Sequence, residues 1–160
     1  MTFNIREATE SDVPLILQFI RDLAEYERLA QLVVATETAL RDTLFGSTPF
    51  AEVLIAEEDG AAAGFALFFH NYSTFLAQPG VYLEDLFVKP EYRGRGYGKA
   101  LLARLAQIAR DRNCGRVEWA VLDWNGPSIA FYKSLGARVM DDWHTFRLTG
   151  EALEKLAGSS

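Results

Sequence analysis

Cysteine is nearly missing from these 160 residues: Cys114 stands alone, so no internal disulfide can form. Histidine occurs only at His70 and His144, too sparse and too far apart to spell out a metal-ligand set, so no metal is expected. No apolar run is long enough to span a bilayer, and no basic, apolar leader opens the chain. No membrane segment is therefore expected, and the expected compartment is the cytoplasm. Positive charge is in the minority, with 16 Lys and Arg against 22 Asp and Glu, a net charge of −6 and a pI near 4.9. That balance excludes the broad basic face a general nucleic-acid binder needs. Linkers, repeats and low-complexity tracts are lacking as well, so residues 1–156 are expected to form one domain, with a frayed tail over 157–160.

What the chain does have is concentrated basic charge on this acidic body. Between Lys89 and Arg104 lie five cations and one anion. The centre of this stretch is Tyr92-Arg93-Gly94-Arg95-Gly96-Tyr97-Gly98-Lys99, entered from a strand-like segment (82–88) and left by an apolar-periodic helix (100–112). Glycines at alternate positions let a backbone approach a ligand closely and turn successive N–H groups into one concavity. At a helix N-terminus, unpaired donors and the macrodipole also favour an anion. The spacing is neither G-x-G-x-x-G nor G-x-x-x-x-G-K-[ST], so the two common nucleotide loops do not apply. A pyrophosphate-binding loop is the economical reading.

Elsewhere, helix and strand signals alternate. Phe3-Asn4-Ile5-Arg6 reads as a first strand, and Thr9-Glu10-Ser11-Asp12 as a capping box before the helical spacing Val13, Ile16, Leu17, Ile20, Leu23, Ala24. A second helix is expected between Thr36 and Gly46. Glu52–Glu57 and Ala63–His70 read as strands joined at Glu58-Asp59-Gly60, and Val81–Val88 as a third. Val117, Trp119 and Val121 alternate in a further strand, Pro127 opens a helix that ends at Gly136, and a last strand is expected near His144–Leu148. This order describes a mixed α/β sheet.

The stretch from Ala120 to Ala137 carries a second constellation. Asn125 lies where a strand yields to a helix, placed to cap that helix or to bond a ligand amide. Ser128 and Tyr132, four residues apart, share one helix face. From spacing alone Tyr132 is either a core ring with a backbone partner for its hydroxyl, or a proton donor at a crevice. The loop R-G-R-G-Y-G and the late pattern N-x-x-[AS]-x-x-[FL]-Y-x-x-x-G-[FA] together resemble the GNAT superfamily of N-acetyltransferases. Tyr82–Val88 with Tyr92-Arg93-Gly94, Trp124-Asn125, Phe131-Tyr132-Lys133, Ile5–Thr9 and Leu23–Glu27 resemble its diamine (spermidine/spermine) acetyltransferase family. Val121–Asn125 and Trp143-His144 lean toward the thialysine branch. Arg95 departs from that pattern, because its position in the family's loop is often uncharged.

The resemblance implies a GNAT fold: a six- to seven-stranded mixed, mostly antiparallel sheet with four to five helices. It implies acetyl-CoA as co-substrate, with Leu86, Phe87 and Val88 pairing the pantetheine arm through their backbone. Arg93, Gly94, Arg95, Gly96, Tyr97, Gly98 and Lys99 would hold the pyrophosphate, with Asn125 and Ser128 on the cofactor's far side. Tyr132 would be the general acid. Tyr26, Glu27, Glu84, Glu118, Trp119 and Ala120 would face the amine, in a homodimer with shared acceptor sites. An aliphatic ammonium titrates near pH 10, so about one molecule in a thousand is nucleophilic at neutrality. Glu84 is the candidate that both attracts this cation and takes its proton. In a regular strand Glu84 and Asp85 face opposite sides, so only one reaches a cleft unless a bulge re-aims them. The acceptor is expected to be a diamine, polyamine, thialysine or basic amino acid. Two alternatives are an enzyme acting on protein or peptide amines and a non-catalytic acyl-CoA sensor.

Overall fold

A computed structural model describes Met1–Ser159. The chain divides into two compact units, Met1–Leu122 and a second beginning at Asp123. In the first, β1 (Phe3–Glu7), β2 (Glu52–Glu58), β3 (Ala61–Ser73), β4 (Gln78–Val88) and β5 (Val117–Trp119) form one sheet in chain order. The first three junctions are antiparallel and the β4–β5 junction is parallel. The sheet is mixed and mostly antiparallel, as expected, but it has five strands among the described residues rather than six or seven. The strand expected over His144–Leu148 is not formed, and Phe146 there is 93% exposed. Alternation gives a segment the side-chain pattern of a strand, yet only a neighbouring backbone can supply the ladder.

Three helices accompany this sheet: α1 (Val13–Tyr26), α2 (Glu37–Leu44) and α3 (Tyr97–Asp111). The start of α1 is fixed by Asp12, whose Oδ2 accepts the Thr9 amide at 2.7 Å and whose two oxygens accept the Arg6 guanidinium at 2.8 and 2.9 Å. Thr36 caps α2 by accepting the Ala39 amide at 3.1 Å. Between β2 and β3, Asp59 (φ 51°) and Gly60 (φ 82°) both lie in the left-handed region, the tight turn the sequence signals.

Ile16, Phe19 and Leu23 of α1 and Leu44 of α2 pack on Val53, Ile55, Phe65 and Phe87, with Phe19 and Phe65 stacked at 5.0 Å. On the opposite face Leu54, Ala56, Ala66 and Phe68 are also buried, and α3 contacts β2, β3 and β4. A sheet covered on both faces explains why β2 reads as a continuous apolar run.

Asp12 yields a pH-dependent prediction. The Arg6 guanidinium, above all, holds the Asp12 carboxyl at about 2 against an ordinary 3.8. A depressed carboxylate stabilises the fold fully above pH ~4, and the contribution is lost as pH falls toward 2. Asp12→Asn is therefore expected to cost about 1–2 kcal/mol at pH 7, allowing for the half-exposed guanidinium, and almost nothing at pH 2. Urea midpoints of both proteins at the two pH values check this.

The second unit contains α4 (Gly126–Ser134) and α5 (Gly150–Ala157). Pro127 sits in the first turn of α4, and Gly136 (φ 94°) follows its end. Of the expected frayed tail, Ala157 closes α5, while Ser160 lies outside the described residues. No helix among the described residues is long and apolar enough to cross a membrane.

Candidate active site

The geometry of the first unit turns on one extra residue in β4. Leu67 pairs with Asp85 and Phe68 with Leu83, which leaves Glu84 without a partner as a bulge. Paired residues share a face, and Phe65 and Leu67 pack on the α1 side. Their partners Phe87 and Asp85 therefore face α1, as does Tyr82 opposite Phe69. Alternation onward from Tyr82 puts Glu84 on that same face. The bulge thus aims both carboxylates to one side.

The bulge also resets the backbone. Val81 N–H donates to Arg116 O at 2.9 Å, so odd positions face β5 before Glu84. Beyond it, Gly64 opposes Val88 and Lys89 N–H donates to Ala63 O at 2.8 Å. That pattern makes Gly64–Val88 a non-hydrogen-bonded pair, so the amides of Val88 and Leu86 point away from β3. Because β5 pairs only with Val81, Tyr82 and Leu83, those two amides face an edge that no strand covers among the described residues. Close approach here depends on Gly64, where an added Cβ would sit 2.5 Å from Phe87 O.

Arg93 ties the next segment back onto this edge. Its Nε donates to Val88 O at 2.9 Å, and its guanidinium lies over the rings of Tyr26 (5.2 Å) and Phe87 (5.4 Å). Gly94 (φ +79°) and Gly96 (φ +82°) then take left-handed conformations, and nothing lies within 4 Å of where their side chains would begin. Gly96 is the N-cap of the 15-residue α3. The result is an open concavity, floored by main chain at a helix N-terminus and flanked by Arg93 and Lys99. It can hold a compact, multiply charged anion. Tyr97 is turned inward, its ring stacked on Phe3 at 4.1 Å, and leaves only its backbone to the concavity. Arg95 Nη1 donates to Glu58 at 2.6 and 2.8 Å, and Tyr97 Oη–H donates to the same carboxylate.

On the α1 face three carboxylates gather. Burial, then the charges of Glu84 and Glu27, push Asp85 up to about 6, and burial followed by Glu84 raises Glu27. Burial first, then Glu84 and Glu118, also raises the Tyr82 phenol. Crowded, unneutralised negative charge is what a cationic ligand would relieve. Glu84 is exposed, Asp85 and Glu27 are partly buried, and Tyr26 is 42% exposed beside Arg93. Glu118 accepts from Asn71 Nδ2 at 3.3 Å and pairs with Arg116 at 3.2 Å. Trp119 is partly buried and Ala120 is exposed just past the end of β5. Two participants were missed in the sequence: Asp85, passed over in favour of its neighbour, and Glu58, whose partners lie 37 and 39 residues on.

In the second unit, Asn125 is buried and its Oδ1 accepts the Ser128 amide at 3.4 Å, so it caps α4. Tyr132 is partly buried, with its ring centroid 5.6 Å from that of Phe131.

A bulged strand with an uncovered edge running into a glycine-lined helix N-terminus suits a ligand with an extended arm and an anionic end, and a family model gives the class of protein. Residues 17–137 match the acetyltransferase (GNAT) family, and the chain belongs to it. It is an N-acetyltransferase. Thialysine N-epsilon-acetyltransferase of Bos taurus is 44% identical over 165 aligned residues, covering 96% of each chain. L-ornithine N5-acetyltransferase NATA1 of Arabidopsis thaliana is 37% identical, covering 98% of this chain and 88% of the relative. Among solved structures, the Vibrio cholerae integron cassette protein VCH_CASS6 superposes with a TM-score of 0.83 at 29% identity, covering 99% of both chains.

Proposed function

We propose that the chain transfers the acetyl group of acetyl-CoA to a primary amine of a small cationic acceptor: thialysine, ornithine, a diamine or a polyamine. The observation that carries this reading is the order of parts along 84–99. Two carboxylates at the bulge are followed by two outward amides and then by the anion concavity. The glycine concavity, open where Cβ atoms would stand, fits a diphosphate, and acetyl-CoA supplies an activated acyl carbon with a thiolate leaving group. The names of the thialysine and ornithine enzymes support the acceptor class.

In this reading Gly94 to Lys99 clamp the diphosphate, and the Leu86 and Val88 amides pair the pantetheine arm as an added strand would. The Val88 N–H stabilises the negative charge that builds on the thioester oxygen. Glu84 meets the ammonium and takes its proton, while Asp85 and Glu27 hold the cation. The freed amine nitrogen forms the C–N bond as the C–S bond breaks; the second proton it then sheds makes good the one given to the thiolate, and the first passes from Glu84 to solvent. Tyr132 is assigned the proton for the departing thiolate on its place in the late family motif; Asn125 and Ser128 are assigned to the cofactor on the same ground. A homodimer in the cytoplasm is part of the proposal.

The test is thiol release with acetyl-CoA against about twenty amines. Thialysine, ornithine, diamines and polyamines are expected to outpace acidic and neutral aromatic amines by at least tenfold. A panel led by acidic or aromatic amines would remove the acceptor assignment, and one on which only peptide N-termini react would favour a protein substrate.

A further inference from the structure

Arg95 is a cation of the glycine loop that does not stand free. It sits between two left-handed glycines, with its guanidinium on Glu58 and 5.5 Å over the Tyr92 ring. Glu58 is the last residue of β2 and its side chain is only 10% exposed. The same carboxylate accepts Tyr97 Oη–H, and the Tyr97 ring is stacked on Phe3 of β1. Arg95 and Tyr97 bracket Gly96, the N-cap of α3. One carboxylate therefore anchors both flanks of the residue whose neighbouring N–H groups form the floor of the concavity. A loop built on glycine has little torsional preference of its own, so its shape must come from contacts of this kind.

We infer that Glu58 is a positioning residue for the acetyl-CoA diphosphate: through Arg95 and Tyr97 it holds the 94–98 backbone in its ligand-ready form. This rests on the reading of that loop as the diphosphate cradle. Arg95 then acts mainly as a strut, since a guanidinium bound to a carboxylate brings no net charge to the site. Charge alone makes the opposite prediction, because removing a carboxylate beside an anion site strengthens anion binding. Glu58 as a brace weakens it when lost.

The experiment is CoA titration by calorimetry, with steady-state kinetics and melting temperatures, on the full chain and its Glu58→Gln, Arg95→Gln, Tyr97→Phe and Glu58→Gln/Arg95→Gln variants. Glu58→Gln is expected to raise the CoA Kd and the acetyl-CoA KM about tenfold. Saturated kcat and the amine KM should stay within twofold. Tyr97→Phe, which keeps the stacked ring, is expected to raise Kd severalfold, and the double variant is expected to bind no worse than Glu58→Gln. If Glu58→Gln fails to fold, Arg95→Gln and Tyr97→Phe carry the test. Binding as tight as the parent's or tighter in these variants overturns the brace, as does a kcat loss that tracks a fall in melting temperature. A parent chain that does not bind CoA at all overturns the cradle reading instead.

Discussion

A Tyr132→Phe variant is expected to turn over at about one hundredth of the parental rate or less at pH 7, with CoA affinity changed less than threefold. General acid assistance contributes about 10²- to 10⁴-fold, and here the group receiving the proton is a thiolate. A simple thiol titrates near 8.5, so the departing sulfur needs the proton at neutrality and progressively less above that value. The deficit should therefore narrow as pH rises from 7 to 10, a signature that a packing defect would not produce. The substitution keeps the ring beside Phe131. Thiol-release rates across that pH range decide the matter; a variant within threefold of the parent at pH 7 takes the acid role away from Tyr132.

Asp85→Asn is expected to make the protein more stable and a poorer catalyst at once. Asp85 is held at about 6 by burial and by Glu84 and Glu27, against an ordinary 3.8. A raised carboxyl favours the fold below pH ~4, and that advantage is lost as pH climbs through 6, where burial of the charge works against folding. Neutralising the side chain should thus add on the order of 2 kcal/mol at pH 7.5, or roughly 5 °C, and nothing at pH 4. The same change removes negative charge from the cation site, so the KM for a diamine should rise at least tenfold while that for acetyl-CoA holds. Scanning calorimetry at the two pH values and initial rates at varied amine would show it. Equal melting temperatures at pH 7.5, or an unchanged amine KM, would count against the carboxylate cluster as the acceptor site. Stability withheld at a binding site in this way is a familiar cost of function.

How much of this was legible in the sequence depended on how local the determining contacts are. Thr9 to Asp12 announced α1, Thr36 announced α2, and Asp59-Gly60 announced the hairpin, because each signal lies within four residues of its partner. The glycine run before α3 was equally plain. The ends of β3 and β4 were not: the strands continue to Ser73 and from Gln78, carried past polar residues by their mutual ladder. The strand expected near His144 failed for the complementary reason, lacking a partner despite a suitable pattern. Glu84 and Asp85 were recognised as a pair, but whether one or both served a cleft hung on a bulge, and a bulge is a property of two strands. Glu58 gave no signal, since nothing near a hairpin turn in sequence reveals that a loop 37 residues later will lean on it.

The unpaired residue in β4 works like a phase shift in a printed pattern. Up to Leu83 the odd-numbered peptides look outward; after Glu84 the even-numbered ones do, and an odd-numbered acid lands beside an even-numbered one. In the proposed reaction a single carboxylate is therefore both the base and the spacer that offsets the numbering of its successors. Substitution removes only the first role. Excising the residue would restore unbroken pleating: with the pairing to β3 kept, the peptides of 86 and 88 would still look outward, but Asp85 would follow Leu83 directly and stand as the single acid of this strand on the α1 face.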